Sequence, residues 1–135
     1  MRLASSLGIA VLLACGAPAA AQPADDAHEV TFAKDIAPIF QNNCQQCHRP
    51  GSIGPMSLTT YQEVRPWARS IKNKVATGEM PPYRYDRDIG IQDLKDDLRL
   101  SLDEIDMISN WVDAGAPMGD PADMPPPLSF PDLDE

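Results

Sequence analysis

The chain has 135 residues, which is enough for one small domain and too few for two. It carries 20 acidic and 11 basic residues, giving a formal net charge of −9. Such a protein is expected to repel nucleic acids and anionic membranes and to meet partners through a basic surface on their side. Acidity that only keeps a small exported domain soluble would explain the same charge.

The first 21 residues have the organisation of an export signal. Arg2 gives a positive start, residues 3–14 form an apolar run, and residues 19–21 fit a small-residue cleavage site. Cleavage after Ala21 removes Arg2 alone among the charged residues and changes the net charge from −9 to −10. Export predicts a periplasmic protein, with a lipid anchor at Cys15 as the alternative. The apolar run is too short to span a bilayer, and no later segment is long and apolar enough.

The first predicted helix follows a flexible polar segment, residues 22–30, and leads from Thr31 into Cys44. Pro38 must lie early in this helix or kink it, because its ring cannot follow a full preceding turn. The apolar residues recur at helical spacing, and they are Phe32, Ile36, Ile39 and Phe40.

Two more helices are predicted, each from a capping box in which Glu follows Ser or Thr by three residues. The first box is Thr60 to Glu63, and Gly78 ends its helix. The second is Ser101 to Glu104, and Gly115 ends its helix. The predicted buried faces are Tyr61, Val64, Ala68, Ile71 and Val75, and then Ile105, Ile108, Trp111 and Val112.

The remaining segments are predicted to be irregular. Residues 83–100 form a long charged loop with one short helical turn, and six of the last twenty residues are proline. The domain is therefore placed at residues 31–117, followed by an acidic, Pro-rich tail at 118–135 that is disordered or extended. Three helices make a small core, and domains of this size often need a cofactor, a metal or a disulfide to complete it.

The sequence Cys44-Gln45-Gln46-Cys47-His48 is the strongest chemical signal. Two residues between the thiols match the separation of the two vinyl groups on one haem edge, and the next histidine can bind the iron. This motif predicts one covalent haem c. A structural disulfide would close only a tiny loop and stabilise little. A dithiol redox site would sit among alternating strands and helices, and a zinc site would need a fourth ligand, such as His28 or a carboxylate.

The second iron ligand is predicted to be Met80. A full helix separates it from His48, so the chain can pass round the haem edge, and residues 81–82 are prolines that stiffen its loop. A thioether ligand favours ferrous iron. The alternatives for Met80 are a hydrophobic plug and an iron with an open sixth position. The other candidate ligands are His28, Met56, Met107, Met118 and Met124, of which Met56 is too close to His48 and the last two lie in the tail.

These residues resemble class I c-type cytochromes. They resemble more closely a bacterial group of single-haem domains with the motifs C-x-x-C-H-R-P-G-x-x-G-P-M-S-L-x-x-Y, P-W, M-P-P and W-V-x-x-G-A-P. The motifs fall at residues 44–61, 66–67, 80–82 and 111–117, and the likeness covers about residues 30–122. The resemblance implies an all-α cytochrome c fold, with three main helices wrapped around one covalent haem, long loops, and first and last helices that cross.

The resemblance also implies roles for single residues. The carbonyl of Pro55 would accept a hydrogen bond from His48 and make that histidine a stronger ligand. Tyr61 and Trp67 would lie beside the haem propionates, with ordinary core packing as the alternative for both. Residues 83–100 depart from the compact class I pattern, since they are longer and more charged.

The function expected from these features is electron transfer between a periplasmic donor and acceptor. No substrate pocket or acid-base pair is recognisable in the sequence, so an enzyme is not predicted. A haem sensor for small ligands and a catalytic haem are alternatives, and both need an open iron. A dithiol or zinc-binding module would follow if no haem were attached.

Overall fold

The computed structural model describes residues 28–82, 95 and 97–130. The predicted export signal with Cys15, and most of the predicted loop at 83–100, lie outside the described residues. Within the described part of the chain all regular structure is helical, and no helix there has the length and apolar character needed to cross a membrane. The elements are a π-helical turn Phe32–Ile36, α1 Ala37–Asn43, α2 Tyr61–Val64, a 3-10 turn Arg65–Trp67, α3 Ala68–Ala76, α4 Leu102–Asp113 and a 3-10 turn Pro121–Asp123.

Pro38 explains why the first helix begins with a wide turn. The amide of Ile36 donates to the carbonyl of Thr31 at 3.2 Å, and the amide of Ala37 donates to that of Phe32, each five residues back. Pro38 then falls in the first turn of α1, where a missing N–H breaks no helical hydrogen bond. Pro38 is thus early in α1, but it is not early in the helix predicted from Thr31, whose preceding turn is widened.

Both capping boxes form as predicted. The Thr60 hydroxyl accepts from the amide of Glu63 at 3.3 Å, and the Glu63 carboxylate accepts from the amide of Thr60 at 3.0 Å. Ser101 and Glu104 make the same exchange at 3.2 Å and 2.7 Å. The second helix, started by the first box, is interrupted by the 3-10 turn that contains Pro66.

Glycines end the second and last helices in the same way. The Gly78 amide donates to Val75 and the next amide donates to Lys74, at 3.1 Å and 2.9 Å. Gly115 repeats the pattern at the end of α4, where the following amide reaches the carbonyl of Trp111 at 2.8 Å. Both glycines have positive φ, which completes the Schellman arrangement.

Phe32 and Trp111 join the first and last helices. Both side chains are almost fully buried, and their ring centroids lie 5.9 Å apart. Tyr61 packs on Phe32 at 5.4 Å, and its hydroxyl donates to the carbonyl of Ala116 at 2.8 Å. The predicted contact between these two helices is confirmed at Phe32 and Trp111, while α3 packs along α4 through its buried face. That face comprises Ala68, Ile71 and Val75 and continues from Val64 in α2.

The segment after α4 follows the first helix. The amides of Phe32 and Ala33 donate to the carbonyls of Pro117 and Met118 at 2.9 Å and 3.0 Å. Further along, the side-chain amide of Gln41 donates to the carbonyl of Pro126 at 2.9 Å. Residues 116–130 have one 3-10 turn, Pro121–Asp123, and otherwise no helix or strand.

A substitution at Gly119 tests whether the tail lies against the first helix. A Cβ there would lie 2.5 Å from the Cβ of Thr31, and φ is +77°. Gly78 is a matched control, because its φ is +67° but a Cβ would meet nothing within 4 Å. We expect Gly78→Ala to lower the free energy of unfolding by about 1–2 kcal/mol through strain alone. Gly119→Ala should lose about 1 kcal/mol more, measured by denaturant titration. Equal losses would contradict the docked position of the tail.

Glu63 gives the fold a pH dependence. Hydrogen bonds, first from Thr59 and then from Ser57 and Thr60, outweigh desolvation and hold the pKa of this carboxyl below its ordinary 4.5. The folded state therefore prefers the ionised form, and this stabilisation is present above pH 4.5 and is lost as the pH falls through the lower folded pKa. Glu63→Gln should reduce the free energy of unfolding at pH 7 by about 1 kcal/mol.

The difference between Glu63→Gln and the unchanged protein should shrink as the pH is lowered below 4.5. Gln62→Ala, an exposed change in the same turn, serves as the control and should show no such narrowing. A difference that stays constant with pH would contradict the role of the ionised carboxylate.

Candidate functional site

The segment Cys44 to His48 forms one helical turn at the end of α1. The amides of Cys47 and His48 both donate to the carbonyl of Cys44, at 3.1 Å and 2.9 Å. Both cysteines are free thiols and are half-buried. Two thiols and an imidazole are thus held within five consecutive residues by backbone hydrogen bonds.

The Cys44 thiol is protected from ionisation. Burial raises its pKa to about 12, and the charges of Cys47 and Glu104 add to the effect. Reactive cysteines usually have a lowered thiol pKa, whereas the pKa of Cys44 is raised. Among the described residues, no group of three or more His, Cys, Asp or Glu side chains is arranged to hold a metal ion.

The imidazole of His48 is oriented by a backbone carbonyl. Its Nδ1 lies 3.1 Å from the carbonyl oxygen of Met56. A neutral ring that donates from Nδ1 keeps the lone pair of Nε2 for a metal. The prediction had given this carbonyl to Pro55, and the structure places it one residue later. Pro55 faces solvent whereas Met56 is half-buried and packs on the core.

Gly54 permits this approach. The motif G-P-M-S-L places it in the loop beside Pro55 but gives it no role of its own. Its amide donates to the carbonyl of Cys47 at 2.7 Å. A Cβ at this position would lie 2.6 Å from that oxygen and 2.6 Å from Nδ1 of His48. Only glycine lets the loop close on the ring, and the sequence signal was a glycine inside the loop that follows the motif.

Gln45 is a residue that the sequence analysis missed. It is the buried polar residue of the turn, 4% exposed, and its side-chain amide donates to the carbonyl of Leu58 at 3.0 Å. The amide of Leu58 in turn donates to the carbonyl of His48 at 3.0 Å. These two hydrogen bonds fasten the far end of the loop to the turn. A glutamine between two cysteines carries no sequence signal for burial.

Met80 is presented by the end of the second helix. Its amide and that of Glu79 both donate to the carbonyl of Lys74, at 3.1 Å and 2.9 Å. The side chain of Lys74 forms an ion pair with Glu79, which also accepts from Thr77 at 3.2 Å. The backbone of Met80 is therefore fixed, while its side chain remains 40% exposed.

The other candidate ligands have different surroundings. His28 lies before the first helix with Nε2 2.9 Å from the carboxylate of Asp35, which also accepts from the amide of Thr31 at 2.8 Å. Met118 and Met124 are partly buried against the core, so their place in the Pro-rich tail does not by itself exclude them as ligands. Met56 and Met107 also pack against the core.

Tyr61 and Trp67 have different surroundings. The Tyr61 hydroxyl donates to the carbonyl of Ala116, and its ring packs on Phe32. These contacts correspond to the core-packing alternative. Trp67 lies in the 3-10 turn and is 45% exposed. A position beside a haem propionate stays a prediction for both residues.

A helical domain with two free thiols and a carbonyl-oriented histidine in one turn has the features of a c-type cytochrome. Residues 32–96 match the family model described as cytochrome c oxidase, cbb3-type, subunit III. The matched range contains the cysteine pair, His48 and Met80, and it supports a c-type cytochrome with haem-based electron transfer. Comparisons with curated proteins and with solved structures give no match.

The residues present fit a covalent haem. Cys44 and Cys47 are unpaired thiols, as thioether bonds to two vinyl groups require. Nδ1 of His48 is engaged by a carbonyl, so Nε2 is the nitrogen left to bind iron. The glycine at position 54 leaves space for the ring in this orientation.

Gly54→Ala tests the orientation of His48. The added methyl group would displace either the ring or the loop, so we expect less haem in the low-spin form, measured by absorption spectroscopy after expression with haem attachment. Gly51→Ala is the control, because φ is +75° there but a Cβ would meet nothing within 4 Å. If Gly51→Ala changed the spectrum as much as Gly54→Ala, the close approach to His48 would not be the cause.

Proposed function

We propose that the chain is a periplasmic electron-transfer domain with a single haem c attached through Cys44 and Cys47. His48 and Met80 would bind its iron. The observation that carries the proposal is the turn in which both thiols precede a histidine whose Nδ1 is already engaged by Met56. A haem held by these residues would supply a one-electron ferric–ferrous couple.

The chain's own residues prepare this site. The carbonyl of Met56 fixes the ring plane of His48 and increases the electron density on Nε2, which strengthens the bond to iron. Gln45 and Leu58 tie the loop to the turn. Their hydrogen bonds hold the histidine in place, which would keep the structural change small when a bound haem gains or loses an electron.

Met80 is the proposed sixth ligand because its backbone is anchored and its side chain is exposed. The carbonyl of Lys74, in the last turn of α3, holds the amides of Glu79 and Met80, which fixes the backbone from which the methionine side chain would reach a metal. A thioether in this position favours the ferrous state and fills the site that oxygen or peroxide would otherwise occupy. With both axial positions filled, the domain carries electrons and is not itself an enzyme.

The acidic charge and the predicted export signal support the proposed location and partners. A mature chain starting near Gln22 would be strongly acidic, and its periplasmic donor and acceptor would present basic surfaces to it. The partners are redox proteins, with no role for nucleic acid. A lipid at Cys15 would tether the same domain to a membrane without changing the haem site.

Haem attachment is tested first. The full chain is expressed in a host that attaches haem c, and the mass of the denatured polypeptide is measured. We expect one haem per chain, and its loss in Cys44→Ala/Cys47→Ala. If the denatured polypeptide carried no added mass of haem, the proposal would be rejected and the dithiol and zinc alternatives would be considered again.

Met80→Ala tests the sixth ligand. Removing the thioether should convert a low-spin haem to a high-spin haem that binds carbon monoxide, whereas the unchanged protein should ignore the gas. Met124→Ala is the matched control, because Met124 is also followed by two prolines and should leave the spectrum unchanged. Rapid binding of carbon monoxide by the unchanged protein would favour a sensor or a catalytic haem.

A further inference from the structure

Arg49, the residue after His48, clamps the peptide groups between the two cysteines. Its Nη1 donates to the carbonyl of Gln46 and lies 3.4 Å from the carbonyl of Gln45. Ser52 provides a second, neutral donor to Gln46 at 3.2 Å. A hydrogen bond from a cation is about twice as strong as a neutral one, so Arg49 is the stronger of the two donors.

Phe130 lies on the other side of this guanidinium. The Cζ atom of Arg49 is 4.1 Å from the centroid of the Phe130 ring, well inside the range of a cation–π interaction. Arg49 is half-buried, and so is Phe130. The cation therefore contacts both an aromatic face and the carbonyls of the cysteine loop.

The tail brings Phe130 to this place along a defined path. Carbonyls of Pro117 and Met118 accept amides at the start of the first helix. The carbonyl of Pro126 accepts from Gln41 near the end of α1. The tail thus runs parallel to the first helix and reaches the cysteine motif where that helix ends. The same segment had been predicted from its prolines as a separate tail.

We propose that Arg49 is a positioning residue for the haem-attachment loop, and that the C-terminal tail holds Arg49 in place through Phe130. An arginine suits this position because a planar guanidinium can stack on a ring while it donates to carbonyls. The meaning of the clamp for haem rests on the proposed function. The clamp itself is a property of the folded chain.

The amides of Cys47 and His48 report on the clamp, because both close the turn onto the carbonyl of Cys44. Losing the charge-assisted hydrogen bonds in Arg49→Ala should speed their hydrogen exchange about tenfold in the haem-loaded full chain. Phe130→Ala leaves the cation but removes its aromatic support, so exchange should rise about threefold. Phe130→Tyr keeps a ring face and should restore the slow rate.

Leu128→Ala is the control in the same tail, since Leu128 is 43% exposed and should not change exchange in the cysteine loop. The double variant Arg49→Ala/Phe130→Ala should match Arg49→Ala, because the tail acts on the loop through the cation. Rates that multiply in the double variant would overturn the proposal. So would a Phe130→Ala chain that exchanges like Leu128→Ala, and this comparison stands even if Arg49→Ala fails to fold.

The two proposals fail separately. Haem content is measured by mass in the same samples. A chain without haem would reject the proposed function, and the order of exchange rates among the Phe130 variants would still decide the clamp. A haem-loaded chain with no effect at Phe130 would reject the clamp and leave electron transfer unaffected.

Discussion

The contact between Phe32 and Trp111 is the constraint on which the rest of the structure depends. It joins the start of the first helix to the last helix in a chain whose described core is small. Tyr61 ties the second helix to the same point through its ring and its hydroxyl. The indole of Trp111 also donates to the carbonyl of Pro117 at 2.9 Å, so the start of the tail is fixed there as well.

The ends of the helices hold the groups that would bind a haem. The first helix ends at the cysteine turn. The second ends at Ala76, and the carbonyl of Lys74 in its last turn holds the backbone of Met80. Helix ends are suited to this task, because their last carbonyls have no partner within the helix and can fix the segment that follows. The candidate ligands are therefore held by backbone groups, and substitutions elsewhere on the helix surfaces should disturb them little.

Much of this architecture was predictable from local sequence rules. The two capping boxes, the terminating glycines and the apolar stripe of the second helix are short-range patterns, and all appear as expected. The cysteine motif likewise needs only adjacent residues. Contacts between distant segments were not predictable: prolines after Ala116 suggested a loose tail, and no rule of composition could show that its carbonyls pair with the first helix.

The site was predicted less completely than the fold for the same reason. Whether Pro55 or Met56 faces His48 depends on how the loop folds back on the turn, and a shift of one residue exchanges their roles. The requirement for glycine at position 54 arises from a ring six residues earlier in the chain. Burial of Gln45 depends on the position of Leu58. Each of these features depends on how the loop folds back on the cysteine turn, which no single residue predicts.

Glu104 initiates the last helix and would also act on a haem attached at Cys44. Its carboxylate caps α4, and its charge also acts on Cys44, the proposed point of haem attachment. A fixed anion beside a haem stabilises the ferric ion and lowers the reduction potential, whereas a methionine sulfur raises it. One carboxylate would then serve two purposes. Replacing it to change the midpoint potential would also weaken the start of the last helix.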